Sequence, residues 1–371
     1  MKLPIPAEEQ FRAPAHHERV TSKIGLALAI TFTACFVTGL LSHLIQHPPG
    51  WFSWPSRPVG LYRVTQGLHV ISGVASIPLL LAKLWSVYPK LFGRPLVRSL
   101  PHALERLSIL VLSGAAFFEL TTGLLNVAQN YPWGFYFPQV HYAVAWLAIG
   151  SVLVHVAVKL PIIRRALGRA AVEEPPAKGL SRRGFLLTTG LATGVAVVAT
   201  AGATVPFLRG VSALSWKTGK GTQHLPVNRT AAAAGITWSP AWRLSVVTPR
   251  GTTKFSLDEL RALPQTTAEL PIACVEGWSQ SATWRGISLP TLLKAVGAAP
   301  GTAVRVSSSE RSGLYGVSVL PGEHTADELT LLALELNGEV LAPDHGFPCR
   351  IIAPNRPGVL QTKWVTKLEA L

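Results

Sequence analysis

Residues 24–46 read IGLALAITFTACFVTGLLSHLIQ, and that run decides what kind of chain this is. About 30 Å of hydrocarbon needs roughly 20 helical residues, and this stretch supplies them. Four more apolar stretches follow, near 66–88, 104–127, 141–163 and 185–208. Proline and glycine clusters punctuate the turns: His47-Pro48-Pro49-Gly50, Trp54-Pro55-Ser56-Arg57-Pro58 and Tyr131-Pro132-Trp133-Gly134. Trp51, Trp54, Tyr62, Tyr131, Trp133 and Tyr136 crowd two of these loops, as an interfacial aromatic belt should.

The composition agrees. Of 371 residues, 48% are hydrophobic and 14% charged, against roughly 25% charged in an average soluble domain. A purely soluble enzyme and a disordered chain are both excluded. The net charge of +15 is unevenly placed: residues 1–216 hold 19 Lys/Arg against 7 Asp/Glu, residues 217–371 hold 15 against 12. Basic residues gathered between apolar segments are topology signals, not a nucleic-acid footprint. Cys35, Cys274 and Cys349 are too few for a disulfide scaffold.

Orientation follows from the same charges. Lys2, Arg12, Arg19 and Lys23 precede the first span. Lys90, Arg94, Arg98 and Arg106 lie between the second and third; Arg164, Arg165, Arg169, Lys178, Arg182 and Arg183 lie between the fourth and fifth. The intervening loops hold Arg57 and Arg63. The positive-inside rule puts the N-terminus in the cytoplasm and everything beyond about residue 209 outside. Ser181-Arg182-Arg183-Gly184-Phe185-Leu186 also resembles a twin-arginine export signal, which carries domains already folded in the cytoplasm. The alternative for the pair is a plain positive-inside anchor.

Residues 217–371 change character. Short β-rich runs (Arg243–Thr248, Ala303–Ser307, Tyr315–Leu320, Arg350–Ala353, Lys363–Leu368) alternate with Gly/Pro turns. Helices are expected at Leu257–Ala262, opened by Ser256, and at Leu289–Val296. The expected division is 1–165, a four-helix membrane domain; 166–216, a linker with the arginine pair and a fifth membrane helix; and 217–371, an extracytoplasmic α+β domain.

Polar side chains in spanning helices are costly, so intramembrane histidines are functional candidates. His141 and His155 are 14 residues apart, which leaves them about 40° apart on one helix face and roughly 21 Å apart in depth. Two such imidazoles suit two stacked b-type haems, each iron needing a second imidazole from another helix. Here the sequence resembles the four-helix di-haem cytochromes b of respiratory dehydrogenases. The resemblance implies an outer pair, His69 and His141, and an inner ligand, His155, whose partner is His102 or His17. His43 could equally serve the outer haem. The alternative for each is an interfacial or helix-bridging histidine.

In the last domain, Ile272-Ala273-Cys274-Val275-Glu276-Gly277-Trp278-Ser279 is followed by Trp284-Arg285-Gly286-Ile287-Ser288-Leu289. Then come Leu336-Asn337-Gly338-Glu339, Pro343-Asp344-His345-Gly346-Phe347-Pro348-Cys349-Arg350 and Lys363-Trp364. Together these resemble the molybdopterin domain of the sulfite-oxidase family, nearest its bacterial branch, which includes the periplasmic methionine sulfoxide reductase catalytic subunits. The resemblance covers about residues 224–371. It implies Mo-molybdopterin with Cys274 as the thiolate ligand to molybdenum, Tyr315 facing the metal, and Asn228, Arg229, His345, Arg350 and Lys363 holding the pterin phosphate. The alternative for Cys274 is a buried thiol or a disulfide to Cys349.

The fold class expected is therefore a membrane helical bundle of four helices plus a fifth anchor or export helix, followed by a sulfite-oxidase-like α+β domain. Such a chain would exchange electrons between a small external substrate (sulfoxide, N-oxide or sulfite-like) and quinone or quinol through one or two haems b. Its expected partners are membrane lipid and, during export, the twin-arginine translocase, with no nucleic acid. Two alternatives remain: a haem-based electron carrier or sensor with a non-catalytic external domain, and a binding module on a membrane anchor.

Overall fold

Apolar runs of this length have one solvent in which they can stay exposed, and the structure exposes them. The computed structural model describes residues 13–93, 95, 97–168, 180–215, 220–310 and 316–371. Among these, five helices are long and apolar enough to cross a membrane: α1 (Glu18–Gln46), α2 (Leu61–Val87), α3 (Leu100–Val127), α4 (Phe137–Leu167) and α5 (Arg182–Ala201). Ile30, Leu81, Leu110, Leu153 and Val195 point outward, while Thr38, Ser72, Ser76 and Thr122 are buried. The Ser181 hydroxyl accepts the Gly184 N–H at 3.1 Å, so Arg182 and Arg183 occupy the first turn of α5.

α5 stops at Ala201, short of the expected 208. The Gly202 N–H leaves the helical ladder and donates to Ser212 Oγ at 2.7 Å. A Cβ at Gly202 would sit 2.6 Å from the Ser212 side chain, so this close approach requires glycine. Pro206, lacking an N–H, then opens a short 3₁₀ turn.

The C-terminal part is α+β, with two five-stranded sheets. Its elements run β1 (Leu244–Thr248), β2 (Gly251–Phe255), α6 (Leu257–Ala262), β3 (Thr266–Ala273), β4 (Ser279–Ser288), α7 (Leu289–Ala295), β5 (Val304–Ser308), β6 (Val317–Leu320), α8 (Gly322–Thr325), β7 (Leu331–Leu336), β8 (Glu339–Val340), β9 (Arg350–Ile352) and β10 (Val365–Ala370). One sheet has the order β2-β1-β10-β5-β6, with β1 and β10 parallel; the other runs β3-β4-β7-β8, with β9 also on β7. Ser256 opens α6 with a full capping box to Glu259.

Strands β2, β3, β4, β7 and β8 were not expected. Pro271 and Gly286 read as breakers, and LLALEL at 331–336 has no alternation to separate a buried strand from a helix. Gly286 in fact marks a register shift where β4 meets β7. A Cβ there would lie 2.1 Å from the Leu332 carbonyl oxygen. Two apolar cores result. One joins Leu244, Leu292, Val306, Cys349, Ile351 and Leu368; the other joins Leu270, Ile272, Cys274, Trp284, Leu331 and Ile352. Each fully buried aliphatic side chain contributes about 1.5–3 kcal/mol.

The chain divides into two compact units, Met1–Leu41 with Leu68–Ala201, and Ser42–Gly67 with Gly202–Leu371. The middle segment drawn from the sequence, 166–216, is divided at Ala201 between the two units. Residues 42–67, the facing ends of α1 and α2 and the loop between them, belong with the C-terminal unit.

Candidate functional site

Strands β3 and β4 pair antiparallel up to Ala273 and Ser279, and residues 274–278 make the turn. The Cys274 N–H donates to the Trp278 carbonyl at 2.8 Å, and the Gly277 N–H to the Cys274 carbonyl at 3.0 Å. Gly277 has φ 89°, a left-handed conformation that a side chain would strain. The turn thus holds Cys274 at 1% exposure. Its thiol lies 3.6 Å from Glu276 Oε2, which also accepts the Trp278 indole N–H at 3.0 Å. Burial pushes the Cys274 thiol well above its ordinary range, and the Glu276 carboxylate adds to this. All three cysteines are free thiols. Cys349 packs in the other core with its own thiol raised by burial, so the Cys274–Cys349 disulfide alternative is not adopted.

A second group of side chains collects where residues 222–231 meet 343–363. His345 Nε2 donates to the Thr222 carbonyl at 2.6 Å. Arg350 donates to the His345 and Gln361 carbonyls, both at 3.1 Å, and its guanidinium lies over the Trp284 ring. Lys363 donates to the carbonyls of Arg229 (2.6 Å) and Asp344 (3.0 Å). Desolvation lowers all three bases: His345 to about 4, Arg350 to about 9 and Lys363 to about 7. Arg350 Nε is buried without a hydrogen-bond partner. Carbonyl oxygens satisfy most donors here but supply no neutralising charge; Asp344 and Glu310 are the carboxylates within electrostatic reach of Lys363.

The expected residues are thus placed as follows. Arg229, His345, Arg350 and Lys363 converge. Asn228 is exposed beside them, and Arg229 also pairs with Glu310 at 2.9 Å. Tyr315 lies outside the described residues. Two buried groups went unnoticed in the sequence. Arg356 donates to the Leu360 and Val319 carbonyls, and burial lowers it to about 10. His324 is lowered to about 4 by burial, with Arg356 adding to the effect; neither ring nitrogen makes a well-formed hydrogen bond, although the Pro354 carbonyl lies toward it. Neither position carries a motif signal.

In the helical unit, His69 and His141 come together with ring centroids 6.5 Å apart. His69 Nδ1 donates to the Cys35 carbonyl at 2.8 Å. The Thr122 hydroxyl already donates to Phe118, so His141 Nδ1 donates to it at 2.9 Å. Glu119 Oε2 stands 3.1 Å from His141 Nε2, while its Oε1 is buried without a partner. Glu119 was missed, although the rule that singled out the histidines applies equally to an acid within an apolar span. His155 lies within electrostatic reach of Lys83, Lys159 and Glu105, and Lys159 donates to Glu105. His102, in the first turn of α3, accepts the Arg98 N–H on its Nδ1. His43 stacks on His47 at 4.8 Å, and His17 Nδ1 accepts the Arg19 N–H. Among the described residues no group of three or more His, Cys, Asp or Glu side chains is arranged to hold a metal ion.

Residues 229–371 match the oxidoreductase molybdopterin binding domain family. This C-terminal segment is a molybdopterin-binding oxidoreductase domain. The chain is similar to the putative protein-methionine-sulfoxide reductase subunit YedZ1 of Azospira oryzae, 30% identical over 114 residues, 31% of this chain and 42% of that one. It is also similar to the sulfite oxidase of Arabidopsis thaliana (28% over 151 residues; 32% and 38%) and to the oxidoreductase YuiH of Bacillus subtilis (28% over 115; 31% and 57%). The chain spans 38–57% of the length of these curated relatives.

The side chains of the molybdopterin-binding domain fit its cofactor. A buried thiol that resists ionisation in the protein alone loses its proton readily to a metal cation. Buried cations with depressed proton affinity and an orphaned Arg350 Nε suit a phosphate anion. The two imidazoles of the helical unit also fit a metal-bearing group. Each has its Nδ1 hydrogen-bonded to another helix, which orients the ring; this leaves Nε2 of His69 as a ligand atom, whereas Nε2 of His141 faces Glu119 Oε2.

Proposed function

We propose that the chain is a membrane-bound molybdenum-cofactor oxidoreductase that exchanges electrons between a small extracytoplasmic substrate and the quinone pool through b-type haem. The observation that carries the reading is the buried Cys274 thiol in the same domain as the cluster of buried His345 and Arg350 with half-buried Lys363, whose hydrogen-bond acceptors are mostly neutral carbonyls. Molybdenum, when bound, supplies oxygen-atom transfer coupled to two electrons. In that domain Cys274 would be its protein thiolate, and Arg350 and Lys363 would hold the pterin phosphate with Asn228, Arg229 and His345 beside them. Tyr315 would, by resemblance, face the metal.

His69 and His141 would share one haem, with His155 and His102 or His17 toward the cytoplasmic side for a second. Fourteen basic residues on one set of connections and two on the other support a cytoplasmic N-terminus and an outer C-terminal domain. Arg182 and Arg183 would then be read by the twin-arginine translocase, because a domain loaded with cofactor in the cytoplasm crosses folded. The substrate class proposed is a sulfoxide, N-oxide or sulfite-like oxyanion. The name of the Azospira relative favours sulfoxide reduction with electrons drawn from quinol.

Metal analysis of the purified full chain tests this directly. About one molybdenum per chain together with haem b is expected. Haem without molybdenum would instead identify an electron carrier or sensor, and neither would leave a binding module. Cys274→Ser should keep the haem and abolish turnover; normal turnover in that variant would overturn the molybdenum assignment.

A further inference from the structure

The turn that carries Cys274 is held by a segment from far away in the chain. Asn355 is 2% exposed with φ 52°, and all its polar groups face residues 54–62. Its N–H donates to the Val59 carbonyl (3.1 Å) and its Nδ2 to the Pro55 carbonyl (2.7 Å). Its Oδ1 accepts the Tyr62 N–H (2.6 Å) and its carbonyl the Trp54 indole N–H (2.8 Å). Arg57 adds a bidentate pair to Asp327, both bonds at 2.8 Å. Val59 packs on the core that contains Cys274.

These bonds converge on one place. Two residues beyond Asn355, Pro357 bridges Ala273. A Cβ on the next residue, Gly358, would lie 3.2 Å from the Ala273 carbonyl oxygen and 3.5 Å from the Cys274 Cα. On the far side of the turn, Arg63 donates to Ser279 Oγ (2.6 Å) and Ser281 Oγ (3.0 Å). Gln66, 4% exposed, donates to the Val275 carbonyl at 3.4 Å and accepts from the Tyr62 hydroxyl. The backbone is therefore gripped before Cys274, immediately after it, and where β4 begins.

We propose that residues 54–66 form a clasp on the molybdopterin-binding domain, and that Asn355, Arg63 and Gln66 are positioning residues for the Cys274 thiolate. This rests on the reading of Cys274 as the molybdenum ligand. The domain beyond residue 202 is then incomplete by itself, since the loop between the first two apolar helices builds one wall of its metal site. A buried hydrogen bond is worth about 1 kcal/mol net, so five or more acting together fix the turn within a narrow geometry. The clasp thereby sets the sulfur's position, and with it the electronic signature of the metal.

The test uses the full-length molybdenum-loaded protein and two variants. Asn355→Gly keeps the left-handed backbone while deleting the side-chain bonds; Gln66→Leu deletes the bond to Val275. Arg305→Ala, which breaks an exposed pair with Glu369, controls for general destabilisation. Both clasp variants should show molybdenum EPR g-values displaced from wild type. Trypsin should cut after the half-buried Arg63 about tenfold faster in Asn355→Gly, the change expected from roughly 1.4 kcal/mol of lost protection; Arg57, followed by Pro58, is not a cleavage site. The control should show neither effect. The protease arm reads the clasp whether or not metal is retained. Unchanged cleavage, or wild-type g-values in both variants at full molybdenum occupancy, overturns the clasp. An unchanged EPR signature in Cys274→Ser overturns instead the assignment beneath it, and the cleavage result stands apart from that outcome.

Discussion

The two units of this chain obey opposite burial rules. In the C-terminal unit Leu244, Leu292, Val306, Ile351 and Ile352 are fully buried. In the helical unit Ile30, Leu110, Leu153, Leu191 and Val195 are more than 60% exposed, while Ser76 is fully buried and Thr122 nearly so. One sequence thus uses apolar side chains as core in one part and as surface in the other. The difference teaches that solvent, not composition, decides where a leucine goes: water drives it inward, and lipid does not.

The comparison breaks most visibly at matched leucines. Leu292→Ala removes a fully buried side chain from the C-terminal core and should cost about 2–5 kcal/mol. Leu191→Ala, on the exposed face of α5, should cost almost nothing. Thermal unfolding of the detergent-solubilised chain, followed separately in the helical and the C-terminal unit, measures both. A comparable loss from Leu191→Ala would mean that this face packs against protein and that α5 is not lipid-exposed.

A charge sharpens the contrast in the other direction. Val154 on α4 and Val319 on β6 are similarly exposed, at 55% and 44%. Val154→Asp should impose about 3 kcal/mol against membrane insertion. Val319→Asp should stay within about 0.5 kcal/mol, because water already solvates that strand face. The amount of each variant recovered in the membrane fraction is the readout, and equal recovery would remove the lipid-facing assignment of α4.

What the sequence disclosed follows the same division. The helices were legible because 20 or more apolar residues in a row have few other uses, and α5 departs only where Gly202 and Pro206 end it. Cys274, His345, Arg350 and Lys363 were legible as motif residues; the last three come together in the fold, while Cys274 sits apart in the turn between β3 and β4. Strands β3 and β4 were hidden by Pro271 and Gly286, whose meaning depends on which strand lies alongside. The bonds of Asn355 to Trp54, Pro55, Val59 and Tyr62 span about three hundred residues of chain, so no local pattern announces them. Glu119 was legible in principle, since an acid inside an apolar run is as conspicuous as a histidine.

The smallest effect concerns a charge that water does not reach. Burial lowers Lys363 to about 7, from an ordinary value near 10.4. Between those values the unfolded chain holds a proton that the folded, cofactor-free chain has released, so stability rises with pH across that window. Below about pH 7 both states are protonated, and the penalty of burying the ammonium is present in full. From about pH 7 to about pH 8 the cofactor-free protein should therefore gain about 1 kcal/mol. His324 and His345, both lowered to about 4, are neutral in the folded and largely neutral in the unfolded chain there, and add little. Lys363→Met should flatten the dependence. An anion bound against Arg350 and Lys363 should flatten it too, by restoring the lysine's proton affinity. Chemical denaturation at the two pH values, with and without cofactor, measures the slope. A slope that persists unchanged in the cofactor-loaded protein would show that Lys363 does not face the anion, and would move the phosphate site away from the His345–Arg350 segment.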